Sequence, residues 1–133
     1  MEVITLKPFQ SEYKNRGQAA EQVFRFTMTG EVFKADNRKG APDFENVQIK
    51  TSRATICNGL FLVDWISENP AEVFAYVTKD LKLAYMMNKT EFHCFVVRFC
   101  TYDHDSRTHE TKIRLKTEGK CMRAYLERNA KRA

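Results

Sequence analysis

The chain has 133 residues, 43% of them hydrophobic and 29% charged, with five Gly and three Pro, which excludes a disordered polymer and suits one globular domain. Net charge is +5, and the excess gathers late: residues 101–133 hold nine Lys or Arg against five Asp or Glu, a balance that fits a polyanionic partner or a solubilising surface. Only a short apolar patch opens the chain, and no apolar run nears the ~20 residues of a membrane span, so a cytoplasmic protein with no membrane partner is expected.

In chain order, Arg16 to Met28 sets Ala19, Ala20, Val23, Phe24 and Thr27 at helical spacings of three and four, and Gly30 is placed to end that helix. Glu31 to Ala35 reads as a strand, and Asp36 to Gly40 as a polar turn with Arg38 and Lys39 at its tip. Pro42 to Phe44 and Val47 to Ile56 read as two further extended segments, the second β-branched and broken by Asn58-Gly59. Together these predict a helix followed by a three-strand meander.

Leu60 to Ser67 suits either a strand or a short helix. Val73 to Thr78 has the composition of a buried strand, and Leu83 to Met87 can pair with it across Lys79-Asp80. Asn88 or Thr90 can cap a helix over Glu91 to Cys100, in which Phe92, Phe95, Val96 and Phe99 form one apolar stripe. Asp103 to Glu110 is read as a polar loop, Thr111 to Lys116 as a strand, and Glu118 to Asn129 as a helix with Met122, Tyr125 and Leu126 inward. The pattern is mixed α/β, taken as one domain over residues 1–133 with everything after about residue 10 in its fold.

Chemistry concentrates in Pro42 to Lys50. Side chains alternate along a strand, so Gln48 and Lys50 share one face and Val47 and Ile49 the other. A tight hairpin at Phe44 to Asn46 would fold Asp43 back beside Gln48, bringing a carboxylate, an amide oxygen and an ammonium into one volume able to hold a divalent cation, a phosphate and a water. The plainer alternatives stay open: Asp43 as a turn residue, Gln48 and Lys50 as the solvated face of an edge strand, and Glu21 as a solvated helix residue.

Ser52 shares the face of Lys50 and could touch phosphate, whereas Arg53 points away by parity and could pair with an acid of a flanking helix. Arg38 and Lys39 are candidates for backbone grip. Lys112, Arg114 and Lys116 alternate and place three cations on one face, as a phosphate track or as a solvent face. The histidines and acids of Asp103 to Glu110 lack a defined ligand geometry and read as a polar connection rather than a metal cluster. His93 reads as a boundary residue. The four cysteines form no Cys-x-x-Cys pair and read as free thiols.

The element order, with Asp43 followed by Gln48-x-Lys50, resembles the PD-(D/E)XK superfamily of restriction-endonuclease-like nucleases, over a core of about residues 16–78 with residues 79–133 as a C-terminal extension. That family shares a helix, a three-strand meander, a helix and a further strand, here followed by a C-terminal strand and helix. The usual second carboxylate of the family is replaced by Gln48, a departure similar to that of the TnsA-type transposon nucleases. The resemblance implies a metal-dependent DNA endonuclease using Mg²⁺ or Mn²⁺. It assigns Asp43, Gln48 and Glu21 as metal ligands, Glu21 through its place on the first helix, and Lys50 as the residue that holds the attacking water. A homodimer is natural if duplex cleavage is the task. The rivals are a nuclease fold that binds DNA or protein without catalysis, and a basic factor that binds protein alone.

Overall fold

A computed structural model describes residues 1–8, 10–11, 13–32, 44–58 and 61–132. Its elements run β1 (Glu2–Thr5), α1 (Arg16–Thr29), β2 (Val47–Thr51), β3 (Thr55–Asn58), α2 (Leu62–Glu68), β4 (Val73–Val77), β5 (Leu83–Met87), α3 (Lys89–Phe99), β6 (Cys100–Asp105), β7 (Glu110–Leu115), α4 (Lys120–Asn129) and β8 (Lys131–Arg132). The class is mixed α/β, as expected. A five-stranded sheet has the order β2-β4-β5-β1-β8, and a three-stranded antiparallel sheet has the order β3-β7-β6.

Two apolar clusters occupy the two faces of the larger sheet. On one, α1 contributes Ala20, Val23 and Phe24 against Val47, Ile49, Ala75, Val77 and Ala84. On the other, Phe74, Tyr76, Tyr85 and Met87 meet Phe92, Phe95 and Val96 of α3, Met122, Tyr125 and Leu126 of α4, and Ile56, Ile113 and Leu115 of the smaller sheet. Strand alternation produces this division, because Ala75 and Val77 leave β4 on one side and Phe74 and Tyr76 on the other. The rings of Phe74 and Phe92 stack at 4.4 Å between centroids, and Tyr76 lies 5.2 Å from Phe95. The segment read as an extension therefore supplies much of the main core.

Helix ends follow their sequence signals. Asn15 caps α1 by accepting the Gly17 and Gln18 N–H groups, and Gly30 ends it at φ 76 with its N–H donating to the Phe26 carbonyl. Asn88 and Glu91 form a reciprocal capping box at α3. Six consecutive residues of α1, Ala19 to Phe24, are buried. That run exceeds a full turn, so this part of the helix is covered all round rather than along one stripe.

The structure departs from the sequence reading at four places. Val47 to Ile56 is two strands in different sheets, because Ala54 N–H donates to the Thr51 carbonyl at 3.1 Å and turns the chain. β2 pairs in parallel with β4, a pairing that the sequence reading did not assign. Asp103 to Asp105, read as the start of a loop, belong to β6, which is paired residue for residue with β7. Its polar outward side chains mask a strand whose backbone is fully laddered. Finally, β1 precedes the expected start of the fold yet lies inside the larger sheet, between β5 and β8.

Leu60 to Ser67 resolves as helix over Leu62–Glu68. Apart from Glu31 and Val32, which lie outside any strand, and Phe44, the first two expected strands of the meander and the turn with Arg38 and Lys39 lie outside the described residues. Phe44 and Val47 exchange both backbone hydrogen bonds, at 2.7 and 3.1 Å, across Glu45-Asn46, so the tight turn expected at Phe44 to Asn46 is present. Among the described residues no helix is long and apolar enough to cross a membrane.

Phe95 is fully buried amid four aromatic rings, so Phe95→Ala should cost about 3–5 kcal/mol in urea unfolding. Phe61, 81% exposed, gives the control: its alanine variant should stay within about 0.5 kcal/mol of the parent.

Candidate functional site

The alternation expected around Lys50 is observed: Val47, Ile49 and Thr51 are buried, and Gln48 and Lys50 are half-buried on the opposite face. The parallel register sets Gln48 beside Phe74 and Lys50 beside Tyr76, so both share the sheet face covered by α3 and α4. Lys50 does not extend freely into water. Its Nζ donates to the Thr55 carbonyl at 3.0 Å and lies 5.5 Å from the centre of the Trp65 ring, contacts that fix the ammonium at the end of β2.

After Thr51 the chain turns through Ser52 and Arg53, and Arg53 adopts φ 66. Left-handed backbone at the third position of a turn suits Gly or Asn. An arginine there costs about 1 kcal/mol. The strain is held from behind: Thr51 Oγ1 donates to the Val77 carbonyl at 2.9 Å, and the buried Ser52 hydroxyl accepts the Glu118 N–H at 2.8 Å. The Glu118 side chain, only 6% exposed, accepts from the Tyr76 hydroxyl at 2.8 Å and from the Lys79 N–H at 3.1 Å, with Arg123 at 3.9 Å. Burial first, and then the Glu118 carboxylate, push the Tyr76 phenol well above its ordinary range.

In front of this turn lies an open cleft of about 580 Å³, walled by the start of α1 (Asn15 to Gly17), by Ile49 to Thr55, and by Arg114 of β7. Its described lining carries four cations, Arg16, Lys50, Arg53 and Arg114, and among the described residues no Asp or Glu. Arg16 and Arg53 are exposed, and among the described residues no carboxylate pairs with either. Arg114 Nε donates to Thr55 Oγ1 at 3.3 Å, and its Nη1 lies 3.9 Å from Asp103. Four cations gathered with Asp103 as the one described carboxylate paired to any of them raise the local potential, which favours an anion. The α1 N-terminus adds a positive partial charge in the same direction.

Of the residues singled out from sequence, Lys50, Ser52 and Arg114 meet at this cleft. Gln48 lies two residues before Lys50 on the same face. Lys112 is half-buried on the face of β7 that carries Arg114, while Lys116 is exposed beyond the strand end, its N–H donating to the Phe99 carbonyl. Ser52 is buried and its hydroxyl is engaged, so it serves as wall rather than as contact. Asp43, Arg38 and Lys39 lie outside the described residues. Glu21 is not the solvated residue of the simplest alternative: it is buried, with Oε1 3.2 Å from Arg25 Nε, and its helix packs on the Val47 and Ile49 side of the sheet.

Two contributors were missed. Parity pointed Arg53 away, but the turn ends the alternation and brings it to the cleft. Arg16 sits at the first position of α1, where the Asn15-Arg16-Gly17 cap was the signal to read.

The donors assigned to a dication are only partly described. Gln48 offers a neutral oxygen, and the Glu21 carboxylate is shared with Arg25, so these two alone supply too little charge to hold Mg²⁺. A complete set rests on Asp43. Among the described residues no group of three His, Cys, Asp or Glu gathers to hold a metal. No family model, curated protein or solved structure matches the chain.

Because the Tyr76 phenol is shifted upward in the fold, its contribution is complete below the unfolded tyrosine pKa of about 10 and is lost as pH rises beyond it. Tyr76→Phe should therefore cost about 1.5–3 kcal/mol at neutral pH by removing a hydrogen bond to a charged acceptor. The variant should also lose one proton's worth of the decline above about pH 10, read by urea unfolding across pH.

Proposed function

We propose that the protein binds DNA with a backbone phosphate in the cleft beside Lys50 and hydrolyses phosphodiester bonds as a metal-dependent, endonuclease-like enzyme on a restriction-endonuclease-like core. The observation that carries this reading is the union of Lys50 with three arginines in one open cleft, with no Asp or Glu among its described lining residues. The order of α1, β2, β3, α2 and β4, with β2 parallel to β4 and helices on both faces of their sheet, supports the core.

In this reading the cleft cations bind the phosphate and offset its charge, and Lys50, fixed by Thr55 and Trp65, stabilises charge that develops on the phosphoryl oxygens. Asp43 and Gln48 would hold the Mg²⁺ or Mn²⁺, without Glu21, whose helix packs on the other face of the sheet. When bound, the ion supplies an acidified water and a polarised phosphate. A homodimer would present two such clefts to the two strands of a duplex.

A second reading, DNA binding without cleavage, is favoured by two contacts: the hydrogen bond from Lys50 to the Thr55 carbonyl and the ion pair of Glu21 with Arg25. Both occupy groups that the resemblance assigns to catalysis. Supercoiled plasmid incubated with the protein in Mg²⁺, in Mn²⁺ and in chelator separates the two. The enzyme reading expects metal-dependent nicking that falls by about 10²-fold or more in Lys50→Ala and in Asp43→Ala. Retention of plasmid with no nicking under any condition would leave the binding reading in its place.

A further inference from the structure

We infer that Arg53 is the principal side chain of a phosphate subsite at the mouth of the cleft, where it grips a non-scissile phosphate together with Arg16 and Arg114. The inference rests on the phosphate-binding part of the proposed function and not on hydrolysis. Three observations lead to it.

The first is placement. Arg16 from the start of α1, Arg53 from the turn after β2 and Arg114 from β7 are distant in sequence, yet all three line one cavity with Lys50. Lys50 is held at the Thr55 carbonyl, and Arg114 is tethered to the Thr55 hydroxyl with Asp103 at its other end. Arg53 is exposed, and no described carboxylate neutralises it. Arg53 and Arg16 are thus the two cations of the cleft that no described contact holds in place.

The second is backbone. φ at Arg53 is 66, in a turn where glycine would be unstrained. A position chosen for stability alone would carry Gly or Asn. Glu45, Leu81 and His109 also have positive φ, and of these four described residues Arg53 is the one that lines the cleft. The third is support: the residue before Arg53 is buried and bonded to the Glu118 N–H, and the residue after it closes the turn onto Thr51. The turn is therefore fixed from both sides, and the guanidinium swings from a rigid base.

A guanidinium offers paired N–H donors in one plane, which suit two oxygens of a phosphate better than a single carbonyl. The ligand class is a phosphate group, and a polynucleotide strand or a free phosphate could supply it. With Lys50 held at the Thr55 carbonyl, a strand would place a neighbouring phosphate at Arg53, holding register without reading sequence.

The test uses the full chain and its Arg53→Gly, Arg53→Ala and Arg53→Lys variants. Fluorescence anisotropy measures binding to a labelled DNA 20-mer in chelator from low to moderate salt, calorimetry measures binding of inorganic pyrophosphate, and thermal unfolding is followed in parallel. Expected for Arg53→Gly is a Tm raised by a few degrees, DNA affinity about five- to twenty-fold weaker, and a slope of log affinity against log salt reduced by about one. Arg53→Ala should lose affinity without the gain in Tm, and Arg53→Lys should restore the salt slope but only part of the affinity.

DNA binding of unchanged strength and slope in Arg53→Gly would overturn the subsite and leave DNA binding by the cleft standing. Pyrophosphate binding that depends on Arg53, without any DNA binding, would support the subsite and overturn the nuclease reading. No binding of either probe would overturn both.

Discussion

The parallel pairing of β2 with β4 is the constraint from which the rest of the site follows. Its register sets Lys50 beside Tyr76 and Ile49 beside Ala75, and strand parity then leaves no freedom about which side chains enter the core under α1 and which turn toward the other face. A slip of one residue would bury an ammonium and an amide beneath α1. The apolar pair Val47 and Ile49 guards against it, because burying both stabilises the observed register by roughly 3–6 kcal/mol relative to leaving them exposed.

Tyr76 joins that register to the cleft. Its ring packs against Phe95 in the core while its hydroxyl donates to Glu118, and the Glu118 backbone N–H holds Ser52. One residue thus links the main apolar cluster, the segment before α4 and the turn that bears Arg53. A buried carboxylate with several donors is stiff, since releasing any one partner exposes charge to a low-dielectric interior. The basic cleft consequently has a rigid back wall, and its exposed arginines are the parts free to adapt.

Much of the scaffold was legible in the sequence. Periods of three and four marked α1, α3 and α4, and continuous apolar runs marked β4 and β5. The alternation of Gln48 and Lys50 against Val47 and Ile49 read correctly because one face of β2 must be buried. The turn at Ser52-Arg53 did not, since no Gly, Pro or Asn announces it and the bend is stabilised by Glu118, far along the chain. β6 was hidden by acids and a histidine on its outward positions, and β1 by its shortness and a partner strand some eighty residues away. The cleft itself could not be assembled from local pattern, because Arg16, Arg53 and Arg114 meet only once both sheets have formed.

The central claim is that this cleft seats a phosphate of a nucleic-acid backbone. An NMR titration of the ¹⁵N-labelled protein with a short unlabelled DNA oligonucleotide in chelator addresses it most directly. Shifts concentrated on the backbone N–H groups of Arg16, Gly17, Arg53 and Ala54 and on the arginine Nε–H resonances, diminishing with added salt, are predicted. Shifts confined to other surfaces, such as the groove formed by His93, Val97 and Arg128 on α3 and α4, with the turn after β2 unmoved, would contradict it.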